Sequence, residues 1–379
     1  MTESLYIHIP FCLKKCIYCD FYSLPLSAGP LAAPDRAGYV EALCTEMALR
    51  KGTARNLRTI FIGGGTPTLL SAAEAARILD TAAGIFSLRP DAEITIEANP
   101  GTLDAKKASE LRTVGVNRVS MGVQSFVDEE LSLLGRAHSA RDGIAAVEAA
   151  RQAGFGNLSL DLMYALPGQK MGSWEYSLER AVELAPEHLS TYELTPEEGT
   201  PLARALGEGR HTLPPEETVS AMYYRGIDLL AERGYAQYEI SNFAKPGRAC
   251  THNLTYWRRE EYLGVGAAAH SFLNEKRSAN FRDLRLYGEA VGRGILPVEE
   301  EILINGAEAL KETLFLGLRM TEEGLDLESS PLRGLLENSR TVEECLRRGL
   351  LERKGSRLRL GRRGLVLSSE IMVKILNEV

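Results

Sequence analysis

The stretch Tyr6-Ile-His8-Ile-Pro10-Phe-Cys12-Leu-Lys-Lys-Cys16-Ile-Tyr18-Cys19-Asp20-Phe21 sets the problem. A short apolar run, residues 5–9, reads as a first strand, and the loop after it carries three cysteines spaced C-x3-C-x2-C. Three thiolates are one short of the four ligands that usually close a structural zinc site. On a four-iron, four-sulfur cube, three thiolates leave one iron without a protein ligand. An open iron suits a chelating substrate: S-adenosylmethionine (SAM) offers an amino group and a carboxylate there. An electron passed from the reduced cluster to the sulfonium then breaks a carbon–sulfur bond and yields a 5′-deoxyadenosyl radical. The alternative is a zinc knuckle completed by Asp20 or by a distant histidine.

Moving outward, five more apolar runs read as strands: residues 59–62, 94–97, 118–123, 158–162 and 188–194. Between them lie amphipathic stretches of helical period at 39–51, 72–86, 105–114, 140–153 and 174–184, with Ser71, Ser139 and Ser173 as start signals. Strand–helix alternation predicts a parallel sheet. Six units fall short of a closed eight-fold barrel, so an α/β fold with a partial, open (β/α)6 barrel is expected, with a doubly wound sheet second. Beyond residue 209 come a helix over 216–233 opened by Pro214-Pro215, a strand near Tyr238, a Gly/Ala-rich segment over 264–269 and a helix over 305–318. The final part, 342–379, reads helix, hairpin with Gly355 at its turn, helix, which is a small, mainly helical, winged-helix-like module. The division is placed at 1–284 and 285–379.

The strand ends carry chemistry. Gly63-Gly64-Gly65-Thr66 ends the second strand, where glycines let a ligand approach the backbone. Glu97-Ala-Asn99-Pro100-Gly101 ends the third and Gly122-Val-Gln124-Ser125 the fourth, while Asp161 lies on the fifth. Ligands of open α/β sheets bind at such ends. Singly, each polar residue also fits a helix cap.

Composition limits the remaining choices. The 379 residues are 44% hydrophobic and 25% charged, as in ordinary globular chains, and the net charge of −7 disfavours a general nucleic-acid binder. The start, Met1-Thr2-Glu3-Ser4, has no signal-peptide pattern, and no apolar run suits a membrane helix, so a cytoplasmic protein with at most peripheral membrane contact is expected. Six cysteines, three of them clustered, suit metal rather than disulfides. The basic run from Arg340 to Arg363, including Arg347, Arg348, Arg353 and Arg357, reads as a solvated face balanced by acids elsewhere.

The stretches YIHIPFCLKKCIYCDF, FIGGGTPTLL, EANPGT, GVNRVSMGVQSF, LGRAHS, LDLMYALPGQ and HNLTYW resemble the radical SAM family, in its coproporphyrinogen III dehydrogenase-like group and most closely in the heme-chaperone branch. The resemblance implies that Cys12, Cys16 and Cys19 hold a [4Fe-4S] cluster. It implies that Tyr6, Gly64, Gly65, Thr66, Glu97, Gln124, Arg136 and Asp161 line SAM sites, the last three at positions that the dehydrogenase uses for a second SAM. Two departures set the chain apart from the dehydrogenase: Phe21 stands where that enzyme has a further cysteine, and the first strand is expected to open at Leu5 without the extension that enzyme carries before it. The HNxxYW motif, His252 to Trp257, is associated with heme in the chaperone branch. An imidazole is a standard axial ligand, so His252 is expected to bind heme, with Tyr256 and Trp257 packed beside it. The expected function is a heme chaperone that passes heme to apo-proteins of respiration and carries no coproporphyrinogen oxidase activity, with a cluster-dependent homodimer as a further expectation. The alternative is an oxygen-independent coproporphyrinogen III oxidase. Among the other residues, His8 is expected to be structural, His270 to lie near the adenine of SAM, and Cys44, Cys250 and Cys345 to be bystanders.

Overall fold

Apolar side chains fall at every second position of the main strands, and that period builds the molecule. The computed structural model describes residues 1–26 and 36–378; Val379, the end of the last expected helix, lies outside them. Six parallel strands form the centre: β1 (Thr2–Ile9), β2 (Ala54–Gly64), β3 (Leu88–Ala98), β4 (Arg118–Gln124), β5 (Leu158–Tyr164) and β6 (His188–Glu193). β7 (Ala236–Glu239) and β8 (Asn242–Ala244) extend the edge beyond β6 in antiparallel fashion, and β9 (Leu263–Val265) runs parallel to β1 at the other edge. The spatial order is β9-β1-β2-β3-β4-β5-β6-β8-β7. From β1 to β6 sequence order equals spatial order. A doubly wound sheet reverses direction at a switch point, and this sheet has none, so the partial barrel is the architecture.

Helices α1 (Arg36–Leu49), α2 (Ala72–Phe86), α3 (Ala105–Thr113), α4 (Asp128–Leu133), α5 (Ala140–Gln152) and α6 (Met171–Glu183) lie between the strands. Leu5, Ile7, Ile60, Ile62, Ile96, Val119, Met121, Leu160 and Leu162 share one hydrophobic core with helix residues such as Leu43, Ile78, Leu111 and Val147. The alternate positions are polar and turn into the lumen: Glu93, Thr95 and Glu97 on β3, Arg118 and Ser120 on β4, Ser159 and Asp161 on β5. Parallel strands buried on both faces are normally apolar on both, so this alternation marks a polar interior.

The expected caps are partly realised. Ser71 and Ser139 each form a capping box, with Glu74 and Asp142. Ser173 does not cap: α6 starts two residues earlier, behind Lys170, and the Ser173 hydroxyl donates to Glu130 Oε1 at 2.7 Å. Tertiary contact takes the hydroxyl that the local signal assigned to a helix end.

The polypeptide then adds α7 (Pro201–Gly207), α8 (Glu216–Glu232) and α9 (Thr251–Trp257). A three-stranded antiparallel sheet follows: β10 (His270–Leu273), β11 (Lys276–Asn280) and β12 (Val298–Leu303). Between β11 and β12, α10 (Leu284–Gly292) packs on α1, where the Tyr287 hydroxyl donates to Glu46 Oε2 at 2.8 Å. Residues 285–303 are thus bound to N-terminal elements, and we propose a domain division near residue 304. Beyond it, α11 (Gly306–Arg319) leads to the small sheet β13 (Leu325–Asp326), β14 (Leu351–Lys354) and β15 (Arg357–Leu360), the last two forming a hairpin with Gly355 at φ +60°. Helices Arg333–Glu337, Arg340–Arg347 and Ser368–Leu376 complete a winged-helix-like module. Within the basic run, Arg348, Arg357, Arg359 and Arg362 pair with acids. Among the described residues no helix is long and apolar enough to cross a membrane.

Candidate cluster and cofactor site

The cysteine loop leaves β1 and is pinched at its base. Phe11–Cys12 pairs in parallel with Leu24–Pro25, Leu24 N donates to Pro10 O at 2.6 Å and Leu26 N to Cys12 O at 2.8 Å. Two contacts hold its middle: Ile17 N on Leu134 O, and Leu202 N on Ile17 O. His8 holds its far arm. His8 Nε2 meets the Tyr22 carbonyl at 2.9 Å, so it must carry the proton, and Nδ1 then accepts from the Tyr6 hydroxyl at 2.9 Å. Burial keeps His8 neutral, with its pKa lowered to about 4. The expected structural role of His8 is therefore specific, since it fastens the loop to the strand.

All six cysteines are free. Cys12 is buried, while Cys16 and Cys19 are half-buried. Burial pushes the Cys12 and Cys19 thiols up, and negative charge on neighbouring cysteine sulfurs pushes each further. Three thiolates this near one another call for a shared cationic centre. Among the described residues, no three His, Cys, Asp or Glu side chains are gathered as a site for one metal ion. A cube makes no such demand, because each thiolate binds a different iron. The chemistry of this donor set fits the cluster, and Arg136 Nη1, 3.5 Å from Cys16 Sγ, already faces one of the sulfurs.

The glycine run has a different physical reason from the expected one. A Cβ on Gly64, at φ +113°, would strike the His8 ring at 2.5 Å, and one on Gly65 would lie 2.6 Å from Phe11 O. The room is taken by the chain's own strand and cysteine loop rather than held open for a ligand. Gly65→Ala should therefore dislodge the loop base, and the fraction of cluster-loaded protein after anaerobic reconstitution should fall severalfold while the far-ultraviolet circular dichroism is kept.

Around this loop the structure gathers Tyr6, Cys12, Cys16, Cys19, Gly64, Gly65, Thr66, Glu97, Gln124 and Arg136, with Asp161 on β5 in register with Gly122. Gly64 N donates to Glu97 Oε2 at 2.9 Å. Burial, together with the Asp161 charge, raises the Glu97 pKa to about 7, against the pull of Gly64 N–H and Arg118. Asp161 is raised by burial too, and it accepts from Ser120 and Ser159, each at 3.3 Å. Two half-buried carboxyl groups held toward their neutral form would ionise more readily beside an incoming cation, because a nearby opposite charge favours the charged form. Gln124 takes a left-handed backbone, φ +69°, which turns its amide back over Gly122.

His252, Tyr256 and Trp257 lie elsewhere. They belong to α9, which plugs the opposite end of the barrel. Thr59, which meets His252, precedes Gly64 on β2 by about 16 Å at ~3.3 Å per residue. His252 is 0% exposed. Its Nδ1 is 2.8 Å from Thr59 Oγ1 and its Nε2 2.8 Å from the Tyr256 hydroxyl, so neither nitrogen is free. In this conformation His252 offers no free ring nitrogen to a heme iron. Glu93 accepts from Thr251 N and His252 N at the helix start, and the Arg319 guanidinium of α11 lies 4.6 Å over the Trp257 ring. Cys250 is buried beside Glu93, Cys44 receives the Thr81 hydroxyl, and Cys345 sits in the C-terminal core. His270 is exposed at the start of β10, and Phe21 is exposed on the cysteine loop. The residue that sequence reasoning left without a role is Asn99; its signal was its place two residues after Glu97 at a strand end.

A family model of the Radical SAM superfamily matches residues 6–181, and one of the HemN C-terminal domain matches residues 304–367. The chain is 37% identical to heme chaperone HemW of Bacillus subtilis, over 100% of both chains. It is 43% identical to heme chaperone HemW of Escherichia coli, over 70% of this chain and 69% of that one. It is 34% identical to the bovine mitochondrial radical S-adenosyl methionine domain-containing protein 1, over 99% of this chain and 88% of that one. Among solved structures, coproporphyrinogen III oxidase (HemN) from Escherichia coli superposes with a TM-score of 0.81 at 24% identity, covering 100% of this chain and 91% of that one, which is a likeness of fold.

Proposed function

The chain belongs to the HemW family of radical SAM proteins, and from that premise we propose that it is a heme chaperone, holding a [4Fe-4S] cluster on Cys12, Cys16 and Cys19 and SAM beside it, and delivering heme to apo-hemoproteins of respiration. The observation that carries the cofactor half is the gathering of three free thiols against polar strand ends. The heme half is supported by the relatives matched over the full length. When bound, the cluster supplies an electron and an open iron. The chain's own residues supply the rest: the loop ties through His8 and Ile17 hold the sulfurs, and Glu97 and Asp161 match a cationic cofactor.

Heme is cargo on this reading, and His252 reaches it only in a state where α9 has left the barrel floor. Anaerobically reconstituted protein titrated with heme should develop a Soret band that weakens in His252→Ala. The same sample given coproporphyrinogen, SAM and a reductant should form no protoporphyrinogen. Absence of heme binding, or product formation, would replace the chaperone with the oxidase. Unchanged heme binding by His252→Ala would remove His252 as the ligand.

A further inference from the structure

Thr66 and Asn99 each stand at the N-cap position of a short 3-10 turn, Pro67–Leu69 and Pro100–Thr102, yet neither side chain caps its turn. Thr66 turns to a sulfur instead, and Asn99 turns to Thr66 and Arg136. Thr66 Oγ1 lies 3.5 Å from Cys12 Sγ and 2.7 Å from Asn99 Nδ2. Asn99 Oδ1 accepts from Arg136 Nη2, which also donates to Gly122 O at 2.6 Å. Arg136 Nη1 reaches Cys16 Sγ at 3.5 Å. Three side chains, two from strand-end segments and Arg136 from the stretch between α4 and α5, thus bridge two of the thiols.

The direction of every bond in this bridge is fixed. A guanidinium has donors only, so the Asn99 atom facing Arg136 is its oxygen, and the atom facing Thr66 is its NH2. With the amide donating into Thr66 Oγ1, the one hydroxyl proton is left for Cys12 Sγ. Arg136 therefore delivers one donor directly to Cys16 and, through Asn99 and Thr66, a second to Cys12.

We infer that Asn99 is a positioning residue for the cluster: it orients the Thr66 hydroxyl toward Cys12 and the Arg136 guanidinium toward Cys16, and the two donors hold the reduction potential up. This rests on the cluster reading proposed above. Hydrogen bonds to cluster sulfurs stabilise the more negative, reduced form, and second-shell donors also fix ligand orientation.

The test is a redox titration followed by electron paramagnetic resonance (EPR) on anaerobically reconstituted full-length wild type, Asn99→Leu, Thr66→Val and Thr66→Ser, each with iron and sulfide measured. Asn99→Leu and Thr66→Val should keep their iron, and their reduced-to-oxidised ratio at a fixed poise should fall about tenfold, which is about 59 mV for a one-electron couple. Thr66→Ser keeps a hydroxyl and should titrate like wild type. Full iron with an unchanged potential in both Asn99→Leu and Thr66→Val overturns the inference. If Asn99→Leu fails to load, the Thr66→Val and Thr66→Ser pair decides, and equal potentials in those two overturn it. Wild type without a four-iron cluster sinks the cofactor reading and this inference together, whereas a wild-type cluster indifferent to the variants sinks this inference alone.

Discussion

Cys16→Ala protein, reconstituted anaerobically, should hold at least ~10-fold less iron than wild type and show no reduced-cluster EPR signal, since even second-shell changes cost 10–100-fold in metal affinity. Cys44→Ala and Cys345→Ala should match wild type in both. The contrast is clean because the Cys16 loop does not depend on the thiol for its shape. Its base is closed by backbone bonds from Leu24 and Leu26, its middle by Ile17 and Leu202, and its far arm by His8 on Tyr22. Cys16 is half-buried, so its removal opens no core cavity, and the circular dichroism and thermal midpoint should stay near wild type. What it removes is one of three sulfurs and the acceptor facing Arg136 Nη1. Cys44 and Cys345 lie on α1 and in the C-terminal core, remote from this loop. Equal iron in Cys16→Ala and wild type would return the loop to the zinc alternative or to no metal at all.

The barrel was legible because six apolar runs of period two, separated by runs of period 3.6, leave few topologies. The run 118–123 became Arg118–Gln124 and the run 158–162 became Leu158–Tyr164, the second gaining Met163 and Tyr164 because pairing with β6 continues through them. The site end was legible for the same reason: residues at the carboxyl ends of successive parallel strands must meet. Arg-Val-Ser-Met-Gly-Val-Gln from Arg118 and Leu-Ser-Leu-Asp-Leu from Leu158 also announce a polar lumen, because every second residue is polar in strands that helices cover. The floor was not legible. That α9 closes the barrel beneath Thr59 and Glu93 depends on contacts nearly two hundred residues apart in sequence, and the aromatic-rich HNxxYW segment reads equally well as a heme edge or as a plug. Asn99 was obscured by its local setting, since a polar residue before Pro looks like a cap until the turn is found to do without it.

His252→Ala should lower the free energy of unfolding by about 2–4 kcal/mol at pH 8, read as a fall in the urea midpoint. The imidazole is stacked against Phe61 at 5.2 Å and satisfies two buried hydroxyls, those of Thr59 and Tyr256, which alanine leaves without a partner. The deficit should also depend on pH, and its sign follows from the charge state. Burial first, then the Arg118 and Arg58 guanidinium charges, lower the His252 pKa from 6.5 to about 3 in the fold. In the unfolded chain it titrates near its ordinary value. Below about pH 6.5 the unfolded chain therefore binds a proton that the folded one refuses, and the stability contributed by the neutral ring, complete above pH 6.5, is lost as pH falls toward 3. At pH 5 that loss is about 2 kcal/mol, so the gap between wild type and His252→Ala should narrow by about that much. His8, His138 and His188 are also held neutral by burial, but they are common to both proteins and cancel in the difference. A gap that stays constant from pH 8 to pH 5 would mean that the ring is already solvated in the folded protein. Helix α9 would then leave the floor without help from a ligand, and His252 would be open to heme from the start.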